Sequence, residues 1–353
     1  MAIHSTHRSQ QFRILGFLAL LLAPFLPGCQ HKTVQTAFYH WEQSLELAPS
    51  ELELLTETQT SDLYLRIFDI DYKDKSQAPG FLSTLSVQEI PPAHLNIIPC
   101  IYITNRSFKN VDYILTDSLA KRTATTVRHL QKKSGLAFGK EIQLDCDWTP
   151  GTRKHYFAFL KQLRSYLPQF EVLSATIRLH QFKYPGKTGI PPVDRGSLMV
   201  YNMGDFKDPE AKNAIYDNDI LKQYLNVKDA YPLPLDVAMP TFNWALVFRF
   251  GKAVKIIHHP RVEELQAQPD QFAPLADRRF KVLKNGYWQG LYLYKGDVLR
   301  IDRIAPVELA EGLQLIRRNG LIQPDKIIYY HLSENITQLY TYEDFKSFTT
   351  GFH

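Results

Sequence analysis

The sequence predicts an α/β fold: a (β/α)8 TIM-type barrel with a β-rich insertion between its seventh and eighth strands. Three observations predict it. Short β-branched and apolar runs alternate with amphipathic helical segments from Thr36 to His331, the pattern of parallel strands joined by helices. Residues 245–304 break that alternation with turn signals at Gly251-Lys252, Asn285-Gly286 and Lys295-Gly296-Asp297, as antiparallel hairpins do. No glycine-rich turn follows Trp41, where a doubly wound dinucleotide-binding sheet would carry one. A length of 353 residues suits a barrel with insertions.

Residues 1–28 read as a lipoprotein signal peptide. His4, Arg8 and Arg13 form a basic start, ILGFLALLLAPFL an apolar stretch, and Leu26-Pro27-Gly28-Cys29 has the form of a lipobox. Cleavage before Cys29 and acylation of its thiol are therefore expected, with residues 29–35 as a lipid-anchored linker and 36–353 as the folded body. The apolar stretch is shorter than the roughly 20 residues of a membrane span. Gln30, in place of an Asp after the lipidated Cys, points to the outer membrane of a bacterial envelope.

The first strand is expected at Thr36–Trp41, followed by a helix that Ser50 and Glu53 would open as a capping box. The second, Asp62–Ile70, runs into Asp69, Asp71 and Asp74, and the third is Asn96–Thr104. A helix from about Asp117 to Ser134 should close on Gly135. The fourth strand begins at Glu141 and carries Asp145 and Asp147. Thr149 as N-cap with Pro150 in the first turn would start the next helix. Glu171–His180, Ser197–Met203 and Leu235–Pro240 read as strands five to seven, with Asn218 capping a short helix before the last of them. After the insertion, a helix opens at Pro306 and stops at Gly320, and Lys326–His331 is the eighth strand.

Side chains alternate across a strand, so Asp145 and Asp147 share one face while Cys146 points to the other. Two neighbouring carboxylates repel, which raises the pKa of one. In a barrel the C-terminal strand ends converge on the site. The shortlist there is rich in carboxylates and aromatics: Trp41, Glu42, Asp69, Asp71, Asn105, Arg106, Asp145, Asp147, His180, Gln181, the run from Tyr201 and Asn202 to Asp205, Met239, Asn243, Trp244, His331 and Glu334. Aromatic faces stack on sugar rings while carboxylates and amides take the hydroxyls, so a glycan or oligosaccharide is the expected partner. Arg66 and Arg178, inside strands, are expected to pair with inward-facing acids. Lys and Arg number 41 against 36 Asp and Glu, with no long basic run, so no nucleic-acid partner is expected. The 12 His lack metal-ligand spacing, and no cofactor is expected. Cys100 and Cys146 could pair in an oxidising compartment, but both lie in predicted strands and are read first as buried free thiols.

Asp145-Cys146-Asp147-Trp148-Thr149 resembles the fourth-strand signature of the family 18 glycoside hydrolases, the chitinases and their relatives, in which Asp-x-Asp-x-Glu often has Trp before the Glu. Met199-Val200-Tyr201-Asn202 similarly resembles that family's sixth-strand Met-x-Tyr-Asp. The resemblance implies carbohydrate binding or processing, with Asp145 and Asp147 as the catalytic candidates and Trp41, Asp69, Tyr201, Asn202, Trp244 and His331 as sugar contacts. In the family the Glu protonates the glycosidic oxygen, and the Asp before it supports the substrate's own N-acetyl nucleophile, the substrate-assisted exception to two-carboxylate hydrolysis. Here Thr149 stands at the acid's position, Ile142 replaces the motif's first Asp, and Asn202 replaces the Asp after the tyrosine. Tyr330 or His331 stands where the eighth-strand tryptophan is expected. Two alternatives follow. One is an active glycosidase whose proton donor lies elsewhere, among Asp69, Asp71, Asp205, Glu42 and Glu334; the other is an envelope interaction protein that docks through the hairpin subdomain.

Overall fold

Eight strands form a closed parallel barrel in the computed structural model, which describes residues 34–72, 78–109, 111–350 and the single positions 1 and 352. The signal segment, Cys29 and Asp74 lie outside the described residues. The strands are β1 (Gln35–His40), β2 (Asp62–Asp71), β3 (Asn96–Ile103), β4 (Glu141–Asp145), β5 (Val172–Arg178), β6 (Arg195–Met199), β7 (Leu235–Pro240) and β8 (Lys326–Tyr330). Each pairs in parallel with its neighbour in sequence, and β1 pairs with both β2 and β8, so the ring closes. A short strand, Gly80–Leu82, adds antiparallel to the end of β2. The crossover from β2 to β3 holds only this strand and Ser86–Val87 as regular structure among its described residues.

The helix starts differ from the sequence expectation, each for a local reason. The first helix is Pro49–Glu57, with Ala48 rather than Ser50 as its cap, because the Glu51 carboxylate accepts from Ala48 N at 2.7 Å. After β4 the helix runs Arg153–Tyr166 with Thr152 as its N-terminal flanking residue, so Thr149 is not the cap. Thr149 instead opens a turn: its N–H donates to Thr152 Oγ1 at 3.0 Å and its carbonyl accepts from Thr152 N. Asp217, not Asn218, caps Asn218–Leu225, accepting from the amides of Asp219 and Ile220. The helix Tyr113–Ser134 does end on Gly135, at φ 73°, and Pro306–Asn319 on Gly320. Strand β5 stops at Arg178 because Gln181 Oε1 takes the Arg178 amide at 2.8 Å and turns the chain into a short helix, Leu179–Lys183. Beyond β6, Asn202 sits at φ 55° and leads the chain out of the strand direction.

Residues 244–302 build a separate antiparallel sheet, in the order Lys252–His258, Trp244–Arg249, Val298–Asp302, Arg279–Val282, Phe272–Leu275, beside the hairpin Gly286–Trp288/Leu291–Leu293. Ala245, Val247, Phe272, Val282, Trp288 and Leu293 form its own core. Arg300, fully buried, binds Asp302 with two donors and the carbonyls of Asp208 and Ala211, which fixes the loop after β6 to this sheet.

The barrel interior is layered and polar, unlike the branched aliphatic filling common in such barrels. At the floor Lys326 Nζ lies 2.6 Å from Asp62 and 3.7 Å from Glu141. Above it, Gln143 accepts from Tyr39 Oη at 2.7 Å and donates to Ser197 Oγ at 2.9 Å. Cys100 is buried beside this layer, and both Cys100 and Cys146 are free thiols. Among the described residues no helix is long and apolar enough to cross a membrane.

Candidate functional site

The upper layer is set by the end of β4. Asp145 is buried and accepts from Thr176 Oγ1 at 2.7 Å, while Asp147, one pleat higher, has a side chain 47% exposed. Cys146 and Trp148 point the other way: Trp148 is fully buried, donates from Nε1 to Thr188 O at 3.0 Å, and stacks on Tyr156. The alternation expected from the sequence therefore holds.

Asp147 is held by Arg178 at the end of β5, which donates from Nε to one carboxylate oxygen and from Nη2 to the other at 2.8 Å. Burial works against the Arg178 charge, and the Asp147 carboxylate more than compensates, so the guanidinium pKa is raised. Burial, with the Asp147 charge added, pushes the Asp145 carboxyl up to about 6, against the opposing pull of Arg178 and the Thr176 bond. Tyr102, Tyr201 and Tyr330 all lie close enough to feel the Asp145 charge, which adds to burial in raising their phenols.

The aromatic wall is continuous. Tyr330 stacks on Tyr201 with centroids 5.3 Å apart and meets Trp41 at 5.5 Å and Phe242 at 5.6 Å. Phe242 in turn packs on Trp244, whose Nε1 donates to Asp302 of the inserted sheet at 2.9 Å. Tyr201 Oη is buried without a hydrogen-bond partner, an arrangement that costs stability unless something else meets it.

Several shortlisted residues sit elsewhere. Asp69 is tied to Arg66 through both oxygens, and Arg66 also donates to Trp41 O at 3.1 Å. Asp71 is bound by Arg106 and Thr104; the Arg106 bond, foremost, lowers its pKa to about 2. Asp71 is therefore not suited to donate a proton. His331 meets Tyr330 and His259 edge-on and bonds Leu332 O through Nδ1, while Tyr330 is the ring stacked on Tyr201. Asn202 lies in the turn after β6, and Thr149 is exposed on the rim. No group of three or more His, Cys, Asp or Glu side chains suited to a metal ion occurs among the described residues. Sequence reasoning missed Tyr102 and Phe242. Tyr102 was findable: it lies two residues beyond Cys100 on the same face of β3 and pairs directly with Asp145.

Fold and site together define a parallel (β/α)8 barrel with a carboxylate pair at its aromatic mouth. The structure is similar to the spore cortex-lytic enzyme SleL of Bacillus cereus, with a TM-score of 0.52 and 14% identity over 92% of this chain and 75% of that one. The SleL of Bacillus megaterium gives 0.52 at 13% identity with the same coverage. A chitinase from Chromobacterium violaceum gives 0.50 at 11% identity over 89% of this chain and 98% of that one. At these identities the likeness establishes the shared fold. No protein-family model matches the sequence, and no curated protein matches it.

Proposed function

We propose that this chain is a glycan-binding envelope lipoprotein whose barrel mouth holds sugar and does not hydrolyse it as chitinases do. The observation that carries the reading is the Tyr201 hydroxyl, buried and unpartnered beside Asp145 and stacked on Tyr330. A sugar hydroxyl or acetamido group entering between Tyr201, Asp147 and Trp41 would meet a donor, acceptors and an aromatic face at once. That combination is how polar ligands are oriented in apolar-walled sites.

The chemistry of hydrolysis is lacking at the position where it is expected. Thr149 stands where the chitinase-like pattern has its acid, and a hydroxyl has no pKa suited to proton donation near neutral pH. Its backbone is committed to the turn with Thr152, and Asp147 next to it has both oxygens on Arg178. Asp145 can hold a proton in mildly acidic surroundings, yet it is buried beneath Asp147. Anchoring through Cys29, to the outer membrane by the Gln30 rule, would place the mouth within the envelope, where polysaccharide is abundant.

The test uses residues 30–353 with chito-oligosaccharides and peptidoglycan fragments, following binding by calorimetry and products by mass spectrometry. Binding without cleavage is expected, weakened several-fold in Tyr201→Phe. Cleavage by the wild type would overturn the non-hydrolytic reading, and absence of binding to every sugar would overturn the carbohydrate reading altogether. Metabolic labelling with a fatty-acid analogue, compared with Cys29→Ser, tests the anchor.

A further inference from the structure

The inserted sheet carries a second aromatic feature, remote from the barrel mouth. In the hairpin Gly286–Trp288/Leu291–Leu293, Tyr287 and Tyr292 are direct cross-strand partners. Trp288 and Leu293 point into the insert's core while the two tyrosines point outward, 71% and 38% exposed. Tyr294 continues the row two residues on, so three rings stand in series with centroids 5.0 and 5.1 Å apart. The row ends against Arg249, whose guanidinium lies 4.2 Å from the Tyr294 centroid and is fixed there by two 2.8 Å bonds to Asp297. Arg249, Phe250, Asn285, Tyr294 and Lys295 line a cavity of about 440 Å³ beside the row, with Phe250 almost fully exposed as one wall.

This surface does not belong to the mouth. Trp244 packs on the barrel core, and the strand from Trp244 to Arg249 carries the cavity outward by about 17 Å, at ~3.3 Å per residue. An exposed row of three aromatics is uncommon on a soluble surface and marks an interaction site. Its chemistry favours one occupant. The rings carry hydroxyls and offer flat faces in a line, and the adjoining cavity presents an amide, an ammonium and a guanidinium held by the Asp297 carboxylate, a mixture suited to a chain of sugar rings. At this end of the insert Arg249, Lys252 and Lys295 stand against the carboxylate of Asp297, so the matching chain is anionic.

We infer that the outer end of the insert is a polysaccharide-binding platform for an acidic glycan chain, acting apart from the barrel mouth. Occupied together with the mouth, it would raise affinity for long chains over short ones by linked binding. The inference stands on a surface the mouth does not share, and it can hold or fail independently of the reading given above.

Affinity electrophoresis of the full chain through gels containing polygalacturonate or neutral hydroxyethyl cellulose tests it. Expected is retardation by polygalacturonate that falls on the order of tenfold in Tyr287→Ala/Tyr292→Ala/Tyr294→Ala, and also falls in Lys252→Glu/Lys295→Glu. Melting of the platform variants should confirm their fold. Equal retardation of the wild type and the tyrosine variant, or no retardation of the wild type, would overturn the platform. So would loss, in the tyrosine variant, of binding to anionic phosphatidylglycerol vesicles alone, which would make the surface a membrane contact. Short-oligosaccharide binding through Tyr201 reads the mouth separately.

Discussion

Arg178 grips Asp147 through two donors, across 31 residues of sequence and one strand boundary, with Asp145 buried directly beneath. The pair fixes the upper layer of the barrel: Asp147 cannot rotate toward a ligand without releasing the guanidinium, and Arg178 supplies the positive charge that tempers the buried Asp145.

Replacing Arg178 with Met therefore has two readouts. Breaking a fully buried pair costs roughly 3–5 kcal/mol, but Asp147 is nearly half exposed and solvent screens what is left. A loss of about 1–2 kcal/mol in urea melts is expected. Arg178 holds the Asp145 pKa down, so its removal should move the Asp145 carboxyl titration, followed by carbon-13 NMR, upward. A stationary titration would show that the two residues are not coupled.

The pH dependence of stability isolates Asp145. Its pKa rises from 3.8 to about 6 on folding, through burial first and Asp147 second. Between those values the folded state binds more protons than the unfolded state, so this residue's contribution to stability falls as pH rises through the window. Asp236 and Glu51, raised to about 6 and about 7 by burial, act in the same direction, and His40, lowered to about 4 by burial, acts in the opposite one. These contributions cancel when wild type is compared with Asp145→Asn. The variant should gain about 2 kcal/mol on the wild type between pH 4.5 and 7.5 in paired urea melts, at ~1.4 kcal/mol per pKa unit.

Strand order was legible because most barrel strands carry an apolar run, and Leu235–Pro240 matches its expected bounds residue for residue, whereas β6 spans Arg195–Met199 rather than the expected Ser197–Met203. Helix starts were less so. Around Ser50, Thr149 and Asn218 several residues could cap, and which one does depends on where the preceding strand releases the chain. The acid pair and its shared face were readable from a period of two. The Arg178 grip on Asp147 and the Arg66 grip on Asp69 depend on register and rotamer, which a lone sequence does not carry. Of Tyr330 and His331, both offered by the sequence, Tyr330 is the one that stacks on Tyr201, a choice that also rests on the register of β8.

Gly312 sets two local effects against each other. Inside the helix Pro306–Asn319, Ala would be favoured over Gly by about 1 kcal/mol from propensity. A Cβ there would meet Tyr216 Oη at 1.7 Å and Cζ at 2.9 Å, and Tyr216 is buried with its hydroxyl bonded to Asn218 at 2.7 Å. Overpacking of this kind costs about 1–3 kcal/mol, so Gly312→Ala should destabilise. Tyr216→Phe removes the closest atom, and in that background Gly312→Ala should cost clearly less. A chemical-denaturation cycle of the four proteins measures the coupling.

At the barrel floor, Lys326 is the cation shared by Asp62, at 2.6 Å, and Glu141, at 3.7 Å, with all three side chains about one-tenth exposed. Asn96 Nδ2 and Ser174 Oγ, each at 2.6 Å, complete the hydrogen bonding of the two acids. Lys326→Met removes the cation in contact with both acids and leaves Arg195 to act on Glu141; an uncompensated buried charge costs roughly 3–5 kcal/mol, and the lower end of that range is expected. Adding Asp62→Asn relieves one of the two orphaned carboxylates and should recover part of the loss. Glycan binding should not change at a temperature where the variant is folded, because Glu141 and Asp145 are four strand residues, about 13 Å, apart. The floor of a barrel serves stability and its mouth serves the ligand. A Lys326→Met protein that melts as the wild type does would mean that water reaches the floor, and one that stays folded yet loses glycan would mean that floor and mouth are coupled.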